Sequence, residues 1–437
     1  MFFHLEMKPL IIRNARIIDP FNGRDEIGSI LIRDGVIQRV GPLTPCDGAE
    51  VFDATGLVAC PGFIDLHTHL REPGREDKET IASGTRAAAA GGFTTVCAIP
   101  NTCPAIDTQT GLKFVLSRAE SEAVVNVIPY AAVTRGQQGE EIVEFGDLVH
   151  YGAKGFTDDG NPVMNAEIMR RALEYSAMFG VPILDHCEDK NLVAEGVVHE
   201  GHYSTKLGLK GIPAVAESVH VARDVELAAF TGGHVHIMHV SKRQSLPHIR
   251  RGKDAGVRVT CEVTPHHLVL TDAELESYDT NFKVNPPLGS KEDRDALLKA
   301  LLDDTIDCIA TDHAPHTDIE KDLSFVDAPF GVVGLETAFP VLHTRLVKEG
   351  LLSLNKLIEK MTVGPAKVLG LLPRGTLSEG APADIVLLDL FEEIVVSRDF
   401  FFSKSWNSPW LGQHLFGSVA ATLVNGKLIY SHRKFLV

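Results

Sequence analysis

Apolar and polar positions follow one texture at both ends of the chain and another in the middle. Leu10–Ile18 is apolar-rich, and Ser29–Ile32 and Val36–Val40 flank the hairpin signal Asp34-Gly35. Val51–Val58 reads as a further strand. Near the other end, Asp384–Leu390 is strand-like, and Ala420–Val424 and Lys427–Tyr430 flank Asn425-Gly426. Two β-rich ends predict one small β-sandwich domain built from residues 1–58 and 369–437.

Residues 59–368 instead alternate short apolar runs with helix-like stretches, the pattern of βα units around a parallel sheet. The runs are Gly62–Asp65, Thr94–Ile99, Val124–Tyr130, Ala153–Phe156, Val181–Leu184, Val235–Met238, Val257–Val263 and Ile306–Ala310. Eight such units predict an α/β fold, a (β/α)₈ barrel of the TIM type. Ser324–Gly334 has no period, holds Pro329, Gly331 and Gly334, and follows the last barrel strand, so a mobile active-site loop is expected there.

Composition narrows the function. Of 437 residues, 44% are hydrophobic and 23% charged, an ordinary globular balance. The net charge of −16 argues against a nucleic-acid partner and against anionic membranes. It also requires a local cationic site for any acidic substrate. The 7 cysteines are scattered without Cys-x-x-Cys, which predicts reduced thiols. The opening MFFHLEMKPLIIRN carries an acid early and lacks a leader's basic start, and no apolar run is long enough to span a bilayer. The cytoplasm is the expected location.

The chemistry gathers where the expected barrel strands end. His67 and His69 stand at i and i+2, so on a strand both imidazoles face one way, and Arg71 extends the row. Other strand ends carry Asn101, Asp158-Asp159, His186, His239 and Asp312 with His316. Imidazole with carboxylate suits zinc, and six ligands exceed one tetrahedral site. Two metals bridged by a carboxylate and a hydroxide would use them all. Ligand chemistry leaves open whether Asp158 or Asp159 bridges. Other residues take plainer roles. Cys187 reads as a buried filler, and His266-His267 as structural. His234 and His236 read as packed or hydrogen-bonded, and His313 as facing away. Asp65 reads as orienting a ligand, and Lys154 as a strand residue paired with an acid.

The segments PGFIDLHTHLREPG, IPNT, GFTDDG, DHCED, HVS, EVTPHHL, VNPPL, ATDHAPH and PFGVVGLET, spread over nearly the whole chain, resemble the amidohydrolase superfamily and within it the class I dihydroorotase family. The resemblance implies one metal between His67, His69 and Asp312, a second between His186 and His239, and Asp159 as the bridge. The cofactor would be Zn²⁺, one or two ions. Asp312 would shuttle the proton. Arg71 would hold a substrate carboxylate, aided by His69, Asn101, Asn285 and His316, with Phe330 and Gly331 covering the substrate. The implied reaction is the reversible cyclisation of N-carbamoyl-L-aspartate to L-dihydroorotate in pyrimidine biosynthesis. A homodimer and a complex with aspartate transcarbamoylase are the protein partners the family allows. The rivals are a hydantoinase or allantoinase, which use a bridging lysine, and a non-catalytic partner of the transcarbamoylase, which retention of every ligand disfavours.

Overall fold

The strands at the two chain ends find each other. The computed structural model describes residues 8–42 and 48–436; the first half of the stretch read for a leader lies outside them. Leu10–Asp19 pairs antiparallel with Arg24–Arg33, which turns into Val36–Gly41 through Asp34-Gly35. Both turn residues have positive φ, 52° and 78°, as a two-residue I′ turn demands. Asn425-Gly426 does the same between His414–Val424 and Lys427–Ser431. Val58–Pro61 joins the halves, parallel to Leu10–Asp19 on one side and antiparallel to Ile385–Val395 on the other. The result is one nine-stranded sheet with a continuous hydrogen-bonded path, where a sandwich suggested two separate sheets. Register shifts at Ile12/Ala15 and Asp389/Glu393 bend that path. Ile12, Ile17, Ile30, Ile37, Ile385 and Leu387 thereby share a core. The strand expected over Val51–Val58 is two strands, Glu50–Asp53 and Val58–Pro61, both parallel to Leu10–Asp19 and separated by a turn through Gly56, at φ 87°.

The middle segments run parallel. Phe63–Thr68, Phe93–Ala98 and Asn126–Pro129 form one sheet; Ile183–Asp185, Val235–Ile237, Val259–Val263 and Cys308–Ile309 form another. Parallel bridges Ala131–Phe156, Phe156–Ile183 and Thr68–His313 join the two end to end, so eight segments follow one another around a closed ring. The fourth is reduced to its bridges at Phe156, flanked by Gly152 and Gly155, which give a strand little to pack. Ile64, Leu66, Cys97, Tyr130, Leu184 and Met238 fill the interior. Helices cover the outside. Ile81–Ala90, for example, starts on a Thr80/Ser83 capping box and ends at Gly91, so the chain re-enters the ring at once. All six described cysteines are free thiols. Among the described residues, no helix is long and apolar enough to cross a membrane.

Candidate metal centre

Because the segments are parallel, their C-terminal ends share one rim, and that rim collects the expected ligands. Asp159 lies at the middle. Its carboxylate oxygens stand 3.6 Å from His67 Nε2, 3.5 Å from His69 Nε2, 3.4 Å from His186 Nδ1 and 3.7 Å from His239 Nε2. Asp312 Oδ1 lies 3.3 Å from His67 Nε2 and 3.2 Å from His69 Nε2. All six side chains are buried. These separations suit a shared cation: tetrahedral bonds of about 2.1 Å give ligand–ligand edges of about 3.4 Å. His67 Nε2, aimed at both carboxylates, is also sealed from solvent without a hydrogen-bond partner. Donor set, spacing and this orphaned nitrogen together fit divalent metal. Asp158 faces elsewhere, its carboxylate taken by the Val133 and Thr134 amides and the Thr134 hydroxyl.

Electrostatics agree. Burial works against ionising Asp159, yet the surrounding imidazoles, His67 first and then His186 and His239, hold it well below the usual carboxylate range. Burial opposes charge on His67 too, but Asp312, Asp159 and Glu262 lift it well above its ordinary value. His69, buried and beside Arg71, is shifted down. Asp312 and His239 both have positive φ, 49° and 32°, a costly backbone for these residues and one found at functional sites.

A second layer fixes the imidazoles, and sequence reasoning missed its main member. Glu262 accepts from His67 Nδ1 at 3.1 Å through one oxygen and from His236 Nε2 at 3.1 Å through the other. Burial is outweighed by these two contacts, which hold its carboxyl at about 2. A carboxylate inside the apolar run Val257–Val263 was the available signal. His236 continues to Thr260, which also bonds His234 Nε2, both at 2.8 Å. Asn101 accepts from His69 Nδ1 at 3.0 Å and donates to Asp159 at 3.3 Å, so it is placed to orient both side chains. Asn285 Nδ2 lies 3.2 Å from His186 Nε2, while its Oδ1 is buried without a partner. Asp65 acts on backbone, accepting from His67 N at 3.3 Å and Thr311 N at 2.9 Å. His313 faces away, 3.2 Å from Glu79. Cys187 is buried against Asp185 and Asp224. Lys154 was expected to have an acid partner; it lies at the opposite end of the ring and has none among the described residues.

The rim also carries fixed positive charge. Arg71 is half-buried and donates to the Pro315 carbonyl at 3.3 Å, with no carboxylate in ion-pair reach among the described residues. Burial moves it down only to about 10, so it stays charged. His316 sits beside it, Nδ1 3.2 Å from Lys78 Nζ and Nε2 2.9 Å from the Phe330 carbonyl. Burial and then Arg71, Lys78 and Lys321 keep that imidazole neutral. Lys78 donates to Nδ1, so Nε2 carries the proton. The loop Ser324–Gly334, expected to be mobile, is tied down. Lys283 Nζ donates to the carbonyls of Val326 and Ala328, Lys321 Nζ to those of Pro329 and Gly331, and Asn407 Nδ2 to that of Gly331. Gly331, at φ 129°, has no room for a Cβ, which would meet that of Ala314 at 2.8 Å.

Known proteins share this plan. A family model described as Dihydro-orotase-like matches residues 56–245, and one described as Amidohydrolase family matches residues 248–430. The dihydroorotase of Pelotomaculum thermopropionicum is 51% identical, covering 97% of this chain and 99% of its own. That of Geobacter metallireducens is 49% identical, over 96% of this chain and 99% of its own. Among solved structures, an L-hydantoinase (dihydropyrimidinase) from Arthrobacter aurescens matches with a TM-score of 0.89 at 26% identity, over 99% of this chain and 98% of that one. A dihydropyrimidinase from Brevibacillus agri matches at 0.85 and 24% identity, over 98% and 96%, a likeness of fold alone.

Proposed function

Because this chain belongs to the dihydroorotase family of amidohydrolases, we propose that its rim cluster holds two zinc ions and that it interconverts N-carbamoyl-L-aspartate and L-dihydroorotate. In this reading the closed ring is a (β/α)₈ barrel, residues 59–368, carried against a β domain from residues 1–58 and 369–437. His67, His69 and Asp312 would hold one ion, His186 and His239 the other, and Asp159 would bridge. Ions there would supply a hydroxide nucleophile near neutral pH and polarise the ring carbonyl. The chain does the rest. Asp312, kept ionised, accepts the nucleophile's proton and returns it to the leaving ring nitrogen; the reverse direction uses the same path. Glu262, Asn101 and Asn285 hold the imidazoles so that the ligating nitrogens converge. Arg71 grips the substrate carboxylate, and His316 Nε2–H donates to it once it leaves the Phe330 carbonyl.

Arg71 carries the choice of substrate. A half-buried guanidinium without an acid partner among the described residues is a ready site for an anion, and hydantoin and allantoin bring no carboxylate. Lys154 lies too far from Asp159 to act as the bridging lysine of those rivals. The test is turnover of dihydroorotate against hydantoin and allantoin in wild type and Arg71→Met. Wild type should favour dihydroorotate, and the variant should lose about tenfold or more in kcat/KM for it, the worth of a charge-assisted pair. Equal turnover of all three by wild type would overturn the reading.

A further inference from the structure

We propose that the N-terminal floor of the barrel, at the end remote from the metals, binds a phosphate-bearing anion that retains one proton. A cavity of about 540 Å³ opens there, lined by Lys154, His234, Arg258, Thr260 and Lys367 among others, and no carboxylate lines it. Register explains the convergence. Lys154 precedes the fourth segment, and His234 and Arg258 directly precede Val235 and Val259, which pair side by side. Lys367 comes from Val363–Val368, packed beneath.

Lys154, Arg258 and Lys367 make no ion pair among the described residues. This is not the habit of that face. Lys253, Lys356 and Lys360, near the start of the eighth strand, pair with Asp307 or Asp304. Three cations around one hollow repel each other and focus a positive potential inward, in a chain whose net charge is −16.

The floor residue specifies the anion further. With Glu262 accepting from His236 Nε2–H and His236 in its single-proton tautomer, His236 Nδ1 accepts the Thr260 hydroxyl proton. Thr260 Oγ1 then accepts from His234 Nε2–H. That leaves the lone pair of His234 Nδ1 on the cavity, an acceptor among cations. His234 is only 8% exposed, and burial, then His236 and Arg258, keep it neutral. A ligand that matches both features presents anionic oxygens to the cations and one hydroxyl proton to Nδ1. Hydrogen phosphate and singly protonated phosphate monoesters have this chemistry; sulfate near neutral pH has the charge without the proton.

The test is calorimetric titration of the zinc-loaded enzyme with inorganic phosphate, with glycerol phosphate and with sulfate at constant ionic strength. The expected result is one saturable phosphate or phosphate-monoester site per chain and at least tenfold weaker sulfate. Lys154→Met with Arg258→Met, both exposed positions, should weaken phosphate at least tenfold and leave dihydroorotate turnover unchanged. His234→Phe should abolish the preference over sulfate. Arg71→Met should leave phosphate binding intact, which separates the floor from the catalytic rim. Absent or unsaturable binding, binding indifferent to the floor substitutions, binding lost with Arg71, or a preference that survives His234→Phe would each overturn the proposal.

Discussion

Single side chains at the rim do separable jobs, and the geometry says which variants separate them. Asp312 reaches His67 and His69 at 3.2–3.3 Å and is the carboxylate assigned to proton transfer. Asp312→Asn keeps an oxygen for the metal and loses the base, so zinc content should persist while kcat falls by about 10²–10⁴, the range of general acid–base catalysis. Metal analysis beside steady-state rates checks this; a zinc-free variant or a near-normal rate would speak against the assignment. Glu262 makes the opposite case. It must accept from two imidazoles, and Glu262→Gln leaves one facing an NH₂ group. Zinc affinity should drop about 10–100-fold, the usual loss when a ligand-orienting carboxylate goes, with the fold intact. Competition against a chromophoric chelator measures it. The convergence of these side chains was readable in the sequence because strand ends and i, i+2 spacing are local signals. Glu262 was not, because its partners His67 and His236 lie on other strands and its own neighbours are apolar. Asp159 over Asp158 was likewise beyond ligand chemistry; what separates them is that Asp158 is consumed by the backbone at Val133 and Thr134.

The same division appears among elements. Hairpins at Asp34-Gly35 and Asn425-Gly426 were legible, since positive φ is written into the turn residues themselves. The fourth ring segment was only half legible: its apolar run exists, but Gly152 and Gly155 reduce it to bridges at Phe156. How the loop Ser324–Gly334 is held was not legible, because the groups that hold it come from elsewhere. Lys283, Lys321 and Asn407 make five hydrogen bonds to four loop carbonyls. Lys321→Met strips donors from Pro329 and Gly331, and a buried carbonyl left unpaired costs about 1–3 kcal/mol. The loop should then open, with faster proteolytic nicking within 324–334 and a raised KM from misplaced Phe330 and Gly331. Unchanged nicking and KM would show that Lys283 and Asn407 suffice.

At the scale of the whole molecule, the sheet built from the two chain ends completes the ring of parallel segments as much as it adjoins it. The segment before the strand His414–Val424 runs along the ring, where Ser403 and Lys404 meet Glu79, and Asn407 meets Ala314 and Gly331. Glu336 anchors that segment, accepting from the Phe402 amide at 2.6 Å and the Ser403 amide at 3.4 Å. Burial outweighs those amides and pushes its carboxyl from 4.5 up to about 8. The native protein therefore keeps a proton that the unfolded chain releases between pH 4.5 and about 8. Stability supplied by the protonated acid is fully present below 4.5 and is lost as pH rises through about 8. Glu336→Gln retains an amide-accepting oxygen and removes the titration. Its melting temperature should match wild type near pH 4.5 and exceed it progressively toward pH 8, both measured with zinc bound. A constant difference across that range would mean that Glu336 acts by packing alone, and a variant less stable at pH 8 would mean that the segment needs the carboxylate's charge.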